Sequence, residues 1–130
     1  MIIDNILLDK LTAQAQESPR LRMNLDLRNS DADSSQRMLN AIEPGSVVPI
    51  HRHRRTSETM VVLRGSLVEE YYSSEGGVEA AYELAAGGDV SALNIPAGQW
   101  HTLRALESGT VILEMKDGPY EPIHECDILR

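Results

Sequence analysis

From Pro19 onward the chain is interrupted every eight to twelve residues by glycine, proline or small polar residues, and this constrains its fold more than any other feature. Between the interruptions lie "RMNLDLR", "QRMLNAIE", "VVPIH", "ETMVVLRG", "SLVEEYY", "AAYELAAGGD", "VSALNIPAG", "WHTLRAL" and "TVILEMK". The first alternates strictly, with Met23, Leu25 and Leu27 on one side. "EPGS", Gly65, "SEGG" and "ESG" supply turns. Many short strands with glycine-rich turns predict an all-β sandwich or small barrel. One helix precedes them, over residues 4–17. Asp4 can cap it, Leu7, Leu8, Leu11 and Ala15 fall on one face, and Ser18-Pro19 stops it.

At 130 residues the chain fits one domain, residues 1–130, with the helix at 4–17, a barrel over 20–120 and a tail at 121–130. There is no Phe, one Trp and four Tyr, so the core must be aliphatic. A net charge of −8 repels polyphosphate. The Arg cluster in "HRHRRTSE", residues 51–58, has no second basic run or interleaved aromatics beside it, which argues against nucleic acid. Cys126 is the only cysteine, so no internal disulfide forms. The start "MIIDNILLDK" lacks the basic opening and long apolar stretch of a signal peptide, and no run reaches transmembrane length. A cytoplasmic protein with no membrane partner is expected.

His51 and His53 are two apart, so on an extended segment both side chains face one way. Glu58 opens the next strand and shares its side with Met60, Val62 and Arg64, and His101 opens a later strand. A lone buried histidine is more often hydrogen-bonded structure than a ligand, and a lone glutamate at a strand start is usually solvated. Here the positions are joint: Gly45, five residues, His51-x-His53, four residues, Glu58, six residues, Gly65. Three histidines and a carboxylate converging in an apolar interior are costly unless a divalent cation engages them.

"GSVVPIHRHRRTSETMVVLRG" resembles the first motif of the cupin superfamily, and "PAGQWH" the core of the second. The resemblance implies a double-stranded β-helix, the jelly-roll barrel, with one N-terminal helix. It also implies His51, His53, Glu58 and His101 as ligands of one divalent transition metal (Mn, Fe, Ni, Co or Zn). Two departures stand out: Gly88 lies seven residues before Pro96 instead of five, and Ala105 stands where Asn is common. Neither position is a ligand. "SPRLRMN", "QRMLNAIEPGS", "HRH", "PAGQWHT" and "LEMKDGPYEP" together resemble the WbuC family of small cupin metalloproteins, over residues 2 to about 122. That family's association with surface-polysaccharide gene clusters implies a sugar or nucleotide-sugar connection.

Other side chains bear on the ligand. Arg64, in phase with Glu58, is expected either to face the barrel and meet an anionic group or to pair with a neighbouring acid. Arg52, Arg54 and Arg55 form either a solvated loop at the pocket mouth or an electrostatic funnel. Tyr71 and Tyr72 alternate, so one can line the cavity; Tyr71 is the candidate. Arg20, Arg22 and Arg37 can bind the same anion or pin the N-terminal segment. Trp100 closes the core or a subunit contact. "HECD", residues 124–127, invites a second metal site, but it lies near a terminus with no defined geometry and reads rather as a loose tail. The expected protein is a metal-binding cupin taking a small anionic or sugar-like molecule. It is either an enzyme on a sugar or nucleotide sugar, an oxygenase, or a non-catalytic binding or sensing protein. A homodimer is expected, with "RMNLDLR" as the edge strand to be covered.

Overall fold

The computed structural model describes residues 1–130. Helix α1 spans Asn5–Glu17, and Asp4 caps it by accepting a hydrogen bond from the Leu7 N–H at 3.0 Å. Ser18, held extended before Pro19, ends it. Eight strands follow: β1 Arg22–Asp26, β2 Ser35–Ile42, β3 Glu58–Arg64, β4 Ser66–Tyr72, β5 Val78–Ala85, β6 Ala92–Ile95, β7 Trp100–Ala105 and β8 Thr110–Asp117. They form two sheets, in the orders β1-β2-β8-β3-β6 and β5-β4-β7, with every pairing antiparallel. The architecture is the expected all-β jelly roll with one N-terminal helix.

The five-stranded sheet buries both faces, in different ways. Its outer face carries Leu39, Ala41 and Val111, packed under Leu8, Leu11 and Ala15 of α1. Met23, Leu25 and Leu27 join this layer, so the alternation of "RMNLDLR" serves the helix. The inner face meets the second sheet through Ile42, Met60, Val62, Leu67, Leu84, Ala105 and Ile112. Polarity then changes along the barrel axis. On β8, Ile112 is core, whereas Glu114 and Lys116, in the same phase, line a cavity. On β3 the change runs from Val62 and Met60 to Glu58, and on β2 from Ile42 to Asn40 and Gln36. One end of the barrel is therefore closed by aliphatic packing and the other opens onto polar side chains.

Gly65 makes the tight β3–β4 connection. Its φ is +83°, and a Cβ there would collide with the Thr110 Oγ1 and lie 2.8 Å from the Thr110 Cα. Only glycine fits.

Two segments differ from the sequence expectation. "VVPIH" is not a strand: only its last residue, His51, pairs, in isolated bridges with His101 and Ile128. Pro49 has no N–H to give a ladder. The end of the chain is not loose. A short 3-10 helix, Glu125–Asp127, seats Asp127 in a buried position. The Arg52 N–H donates to the Asp127 carbonyl and the Leu129 N–H to the Ile50 carbonyl. The tail thus straps down the loop that carries His51 and His53.

Candidate metal centre

The isolated bridge between His51 and His101 builds the site. Each backbone N–H donates to the other's carbonyl, at 3.0 and 2.9 Å. Residues so paired across antiparallel chains project to the same side, and the two imidazole centroids are 4.3 Å apart. His53, two residues on, brings its ring to 5.2 Å from His51 and 5.8 Å from His101. The ligating atoms of the three histidines all lie within 4.8 Å of one another. His101 is positioned by the turn before it, where the Gln99 N–H donates to the Pro96 carbonyl and Gly98 takes φ +83°.

Hydrogen bonds fix the ring nitrogens. The Nδ1 of His51 lies 2.8 Å from the Pro49 carbonyl and that of His101 lies 2.9 Å from the Gln99 carbonyl. A carbonyl only accepts, so each Nδ1 carries the proton and each Nε2 is left with its lone pair. This is how metal-binding histidines are commonly held. Burial, first of all, lowers the pKa of all three histidines, and that of His101 falls to about 3. All three are neutral at pH 7, the state that binds a metal.

Glu58 borders this triad on two sides. Its Oε2 lies 3.1 Å from the His53 Nε2 and 3.8 Å from the His101 Nε2. Neither contact has hydrogen-bond alignment, and this buried oxygen has no other partner. An orphaned carboxyl oxygen beside three imidazoles, two of them held with the Nε2 lone pair free, fits a divalent cation well. His51, His53, Glu58 and His101 all line one cavity of about 310 Å³.

Besides the exposed Glu121 at its rim, the cavity holds two inward carboxyl groups that "HRHRRTSE" gives no hint of. Glu69, on β4, is fully buried, and neither carboxyl oxygen has a partner. Burial, reinforced by Glu58 and Glu114, raises its pKa to about 9. Glu114, on β8, is raised to about 8 by burial and by Glu58, with which it shares a hydrogen bond. Burial also raises Glu58, and the bond from Glu114 opposes the rise. The Gln36 Oε1 and Asn40 Oδ1 are likewise buried without partners. Leaving a buried acceptor unpaired costs about 1–3 kcal/mol. Arg20, Arg22 and Lys116 add positive charge to the lining.

The candidate ligand-binding residues are placed otherwise. Arg64 does not face the cavity. A β-bulge between Val62 and Arg64 adds a residue to β3 and pairs Arg64 with Val111, on the helix-covered face. There Arg64 meets the Asp9 carboxylate at 2.6 Å, the Thr12 hydroxyl at 2.9 Å and the Gly109 carbonyl at 2.8 Å. The alternative expectation, a salt bridge to a neighbouring acid, describes it. Arg55 is exposed and lines a separate groove under the C-terminal strap. Tyr71 is inward and buried, but it packs edge-on against Tyr82 at 5.3 Å and does not line the metal-site cavity. Burial, with Glu69 nearby, pushes its hydroxyl up to about 12.

Arg52 and Arg54 are not a free funnel. The Nε atoms of both contact the Asp127 Oδ1, at 2.9 and 2.6 Å. The Arg52 guanidinium also stacks 4.5 Å over the buried Trp100 ring. Arg37 pairs with Asp33 at 3.1 Å, outside the cavity.

The barrel is a jelly roll of cupin-like fold with a histidine-lined cavity at its polar end, and solved structures agree on that fold. CapF from Staphylococcus aureus, described as a capsular polysaccharide assembling protein, superposes with a TM-score of 0.67 at 18% identity, over 85% of this chain and 32% of its own. KdgF from a Halomonas species gives 0.63 at 15% identity, over 80% of this chain and 85% of its own. Oxalate oxidase in complex with glycolate gives 0.66 at 17% identity, over 84% of this chain and 57% of its own. This chain thus spans about a third of CapF and little over half of oxalate oxidase. No curated protein matches it in sequence. Residues 3–84 match a family described as a domain of unknown function (DUF6016), and the chain belongs to that family.

Proposed function

We propose that this protein binds one divalent transition metal through His51, His53, His101 and Glu58, and receives a small polar molecule at that metal. The observation that carries the proposal is the convergence of three neutral imidazoles with a carboxylate oxygen that has no other partner. Nitrogen and carboxylate donors admit Mn, Fe, Co, Ni or Zn. A metal held by these four residues would keep positions for water or a small molecule if it were octahedral, and all four residues line the cavity. A metal with exchangeable positions can polarise a carbonyl or acidify a hydroxyl. Glu69 and Glu114 offer groups that hold a proton near neutral pH. This favours an enzyme over a storage or sensing role.

For the substrate, the sequence resemblance to the WbuC family supports a sugar or nucleotide sugar in surface-polysaccharide metabolism. The cations Arg20, Arg22 and Lys116 support an anionic group on it. A reducing, cytoplasmic setting accords with one exposed, unpaired cysteine. No helix is long and apolar enough to cross a membrane.

Elemental analysis of protein purified without a His-tag tests the proposal. About one equivalent of a first-row metal is expected, with loss in His51→Ala/His101→Ala. Undiminished metal in that double variant rejects the ligand set. With cobalt loaded, titration with sugar acids and nucleotide sugars should perturb the visible spectrum. A spectrum that no ligand changes means a closed site and turns the proposal toward a structural metal.

A further inference from the structure

Every buried side-chain polar atom without a partner in this protein is an oxygen that can accept a hydrogen bond. They are the Gln36 Oε1, Asn40 Oδ1, Glu58 Oε2 and both carboxyl oxygens of Glu69. They come from β2, β3 and β4, yet all four residues line the single cavity that contains the histidines. Glu58 is accounted for by the metal. The other four oxygens are too far spread along the chain to be a local accident, and Glu69 is 0% exposed. Buried acceptors are normally matched by donors.

We propose that Gln36, Asn40 and Glu69 form a recognition subsite for the hydroxyl groups of a polyhydroxylated molecule whose acidic head engages the metal. The inference rests on the metal-site proposal and deepens it, by naming which wall of the cavity selects the ligand and for which groups. The Asn40 amide is oriented for this role: its Nδ2 donates to the Glu114 Oε1 at 3.1 Å, which turns Oδ1 away from Glu114. Glu69 belongs to the same inward phase as Leu67 and Tyr71, so aliphatic and aromatic packing on either side fixes its direction. A hydroxyl can both donate and accept, so it satisfies a carboxylate or a carboxylic acid equally. An aliphatic chain of the same length satisfies neither.

The test compares gluconate with 2-hydroxyhexanoate by calorimetry on the metal-loaded, full-length protein. Both have six carbons and the same α-hydroxy acid head for the metal, and only gluconate has hydroxyls along the rest of its chain. Gluconate is expected to bind at least tenfold more tightly. Glu69→Leu, which keeps the volume and removes both oxygens, should erase most of that preference while 2-hydroxyhexanoate affinity and metal content stay at wild-type values. Asn40→Leu should act in the same direction, and it serves if Glu69→Leu does not fold. Equal binding of the two acids by the wild type, or an undiminished preference in the folded variants, overturns the subsite. So does binding of neither acid. A wild-type protein that holds no metal instead rejects the underlying site, and elemental analysis of the same sample separates the two failures.

Discussion

The Oε2 of Glu58 lies 3.1 Å from the Nε2 of His53. The pair lacks hydrogen-bond alignment, and with the His53 Nε2 deprotonated both atoms are acceptors. Such a contact is stable only with a proton or a cation between the two atoms. A cation predicts that Ala at His51, His53 or His101 each removes most of the bound metal. Glu58→Gln, which keeps the shape and loses the charge, should weaken metal by a smaller factor. Mass spectrometry on the purified variants measures both, and a variant series with no loss at His53 would place the metal elsewhere.

The same site makes a prediction about acid. An unperturbed histidine takes up a proton near about pH 6.5, and metal held by such residues leaves there. Burial lowers all three histidines here, with His101 at about 3. Protons therefore compete poorly, and metal should remain bound well below pH 6.5. The linkage to folding has the same sign. In the unfolded chain the rings protonate below about 6.5, in the native state they do so only at lower pH, so metal-free protein loses stability as pH falls below that value. Dialysis across pH 7 to 4 with metal analysis at each step tests it. Release centred at pH 6.5 would mean that the rings are more hydrated than this packing allows.

How much of this was legible in the sequence depended on whether neighbouring residues imposed it. The helix cap at Asp4, all eight strands and the joint spacing of His51, His53, Glu58 and His101 follow from local periodicity and turn chemistry. Arg64 could not be placed that way, because a bulge shifts its face and leaves no mark on the alternation of "ETMVVLR". Glu114 was hidden for another reason. In "TVILEMK" its phase is the polar one, which suggests the solvent side of a half-buried strand. Here α1 covers the outer face, so the polar phase turns inward, toward a cavity. Glu69 had a usable signal: it stands between Leu67 and Tyr71 in the buried phase of "SLVEEYY". The partners of Asp127 were out of reach, since the ion pairs to Arg52 and Arg54 span 75 and 73 residues.

Glu69 carries a stability prediction of opposite sign to the histidines. Its native pKa is raised to about 9 from an ordinary 4.5. Between those values the native state holds a proton that the unfolded state has lost, so metal-free protein becomes less stable as pH rises through that window. The slope from this group is at most about 1.4 kcal/mol per pH unit. Glu69→Gln has no such proton, so its advantage over wild type should grow from pH 5 to pH 9. Urea midpoints along that series should diverge steadily; parallel curves would mean that Glu69 ionises freely in the folded protein.

Gly65→Ala tests the barrel rather than the site. A methyl group there overlaps the backbone of Thr110 on β8 and must adopt φ +83°. Left-handed strain alone costs on the order of 1–3 kcal/mol, and the clash adds to it by pushing apart the β3–β4 turn and the start of β8. Thermal unfolding should drop by at least several degrees. A variant with an unchanged melting temperature would show that this turn has room that the distances deny.

The last prediction concerns assembly. β1 is an edge strand of the five-stranded sheet, and Ile2, Ile3, Ile6 and Val47 are exposed. An open edge invites pairing, and a symmetric dimer removes it. The inner and outer faces of β1 are already used, by the cavity residues Arg22 and Asn24 and by the helix contacts of Met23 and Leu25. Only its unpaired backbone edge and the nearby apolar side chains remain to be covered. Light scattering should therefore give twice the 14.4 kDa chain mass at micromolar concentration. Asn24→Pro, which deletes an N–H on this edge strand, combined with Ile6→Lys, should shift the protein toward monomer while its metal content is retained. A wild-type mass of 14.4 kDa at that concentration would show that the edge is left open.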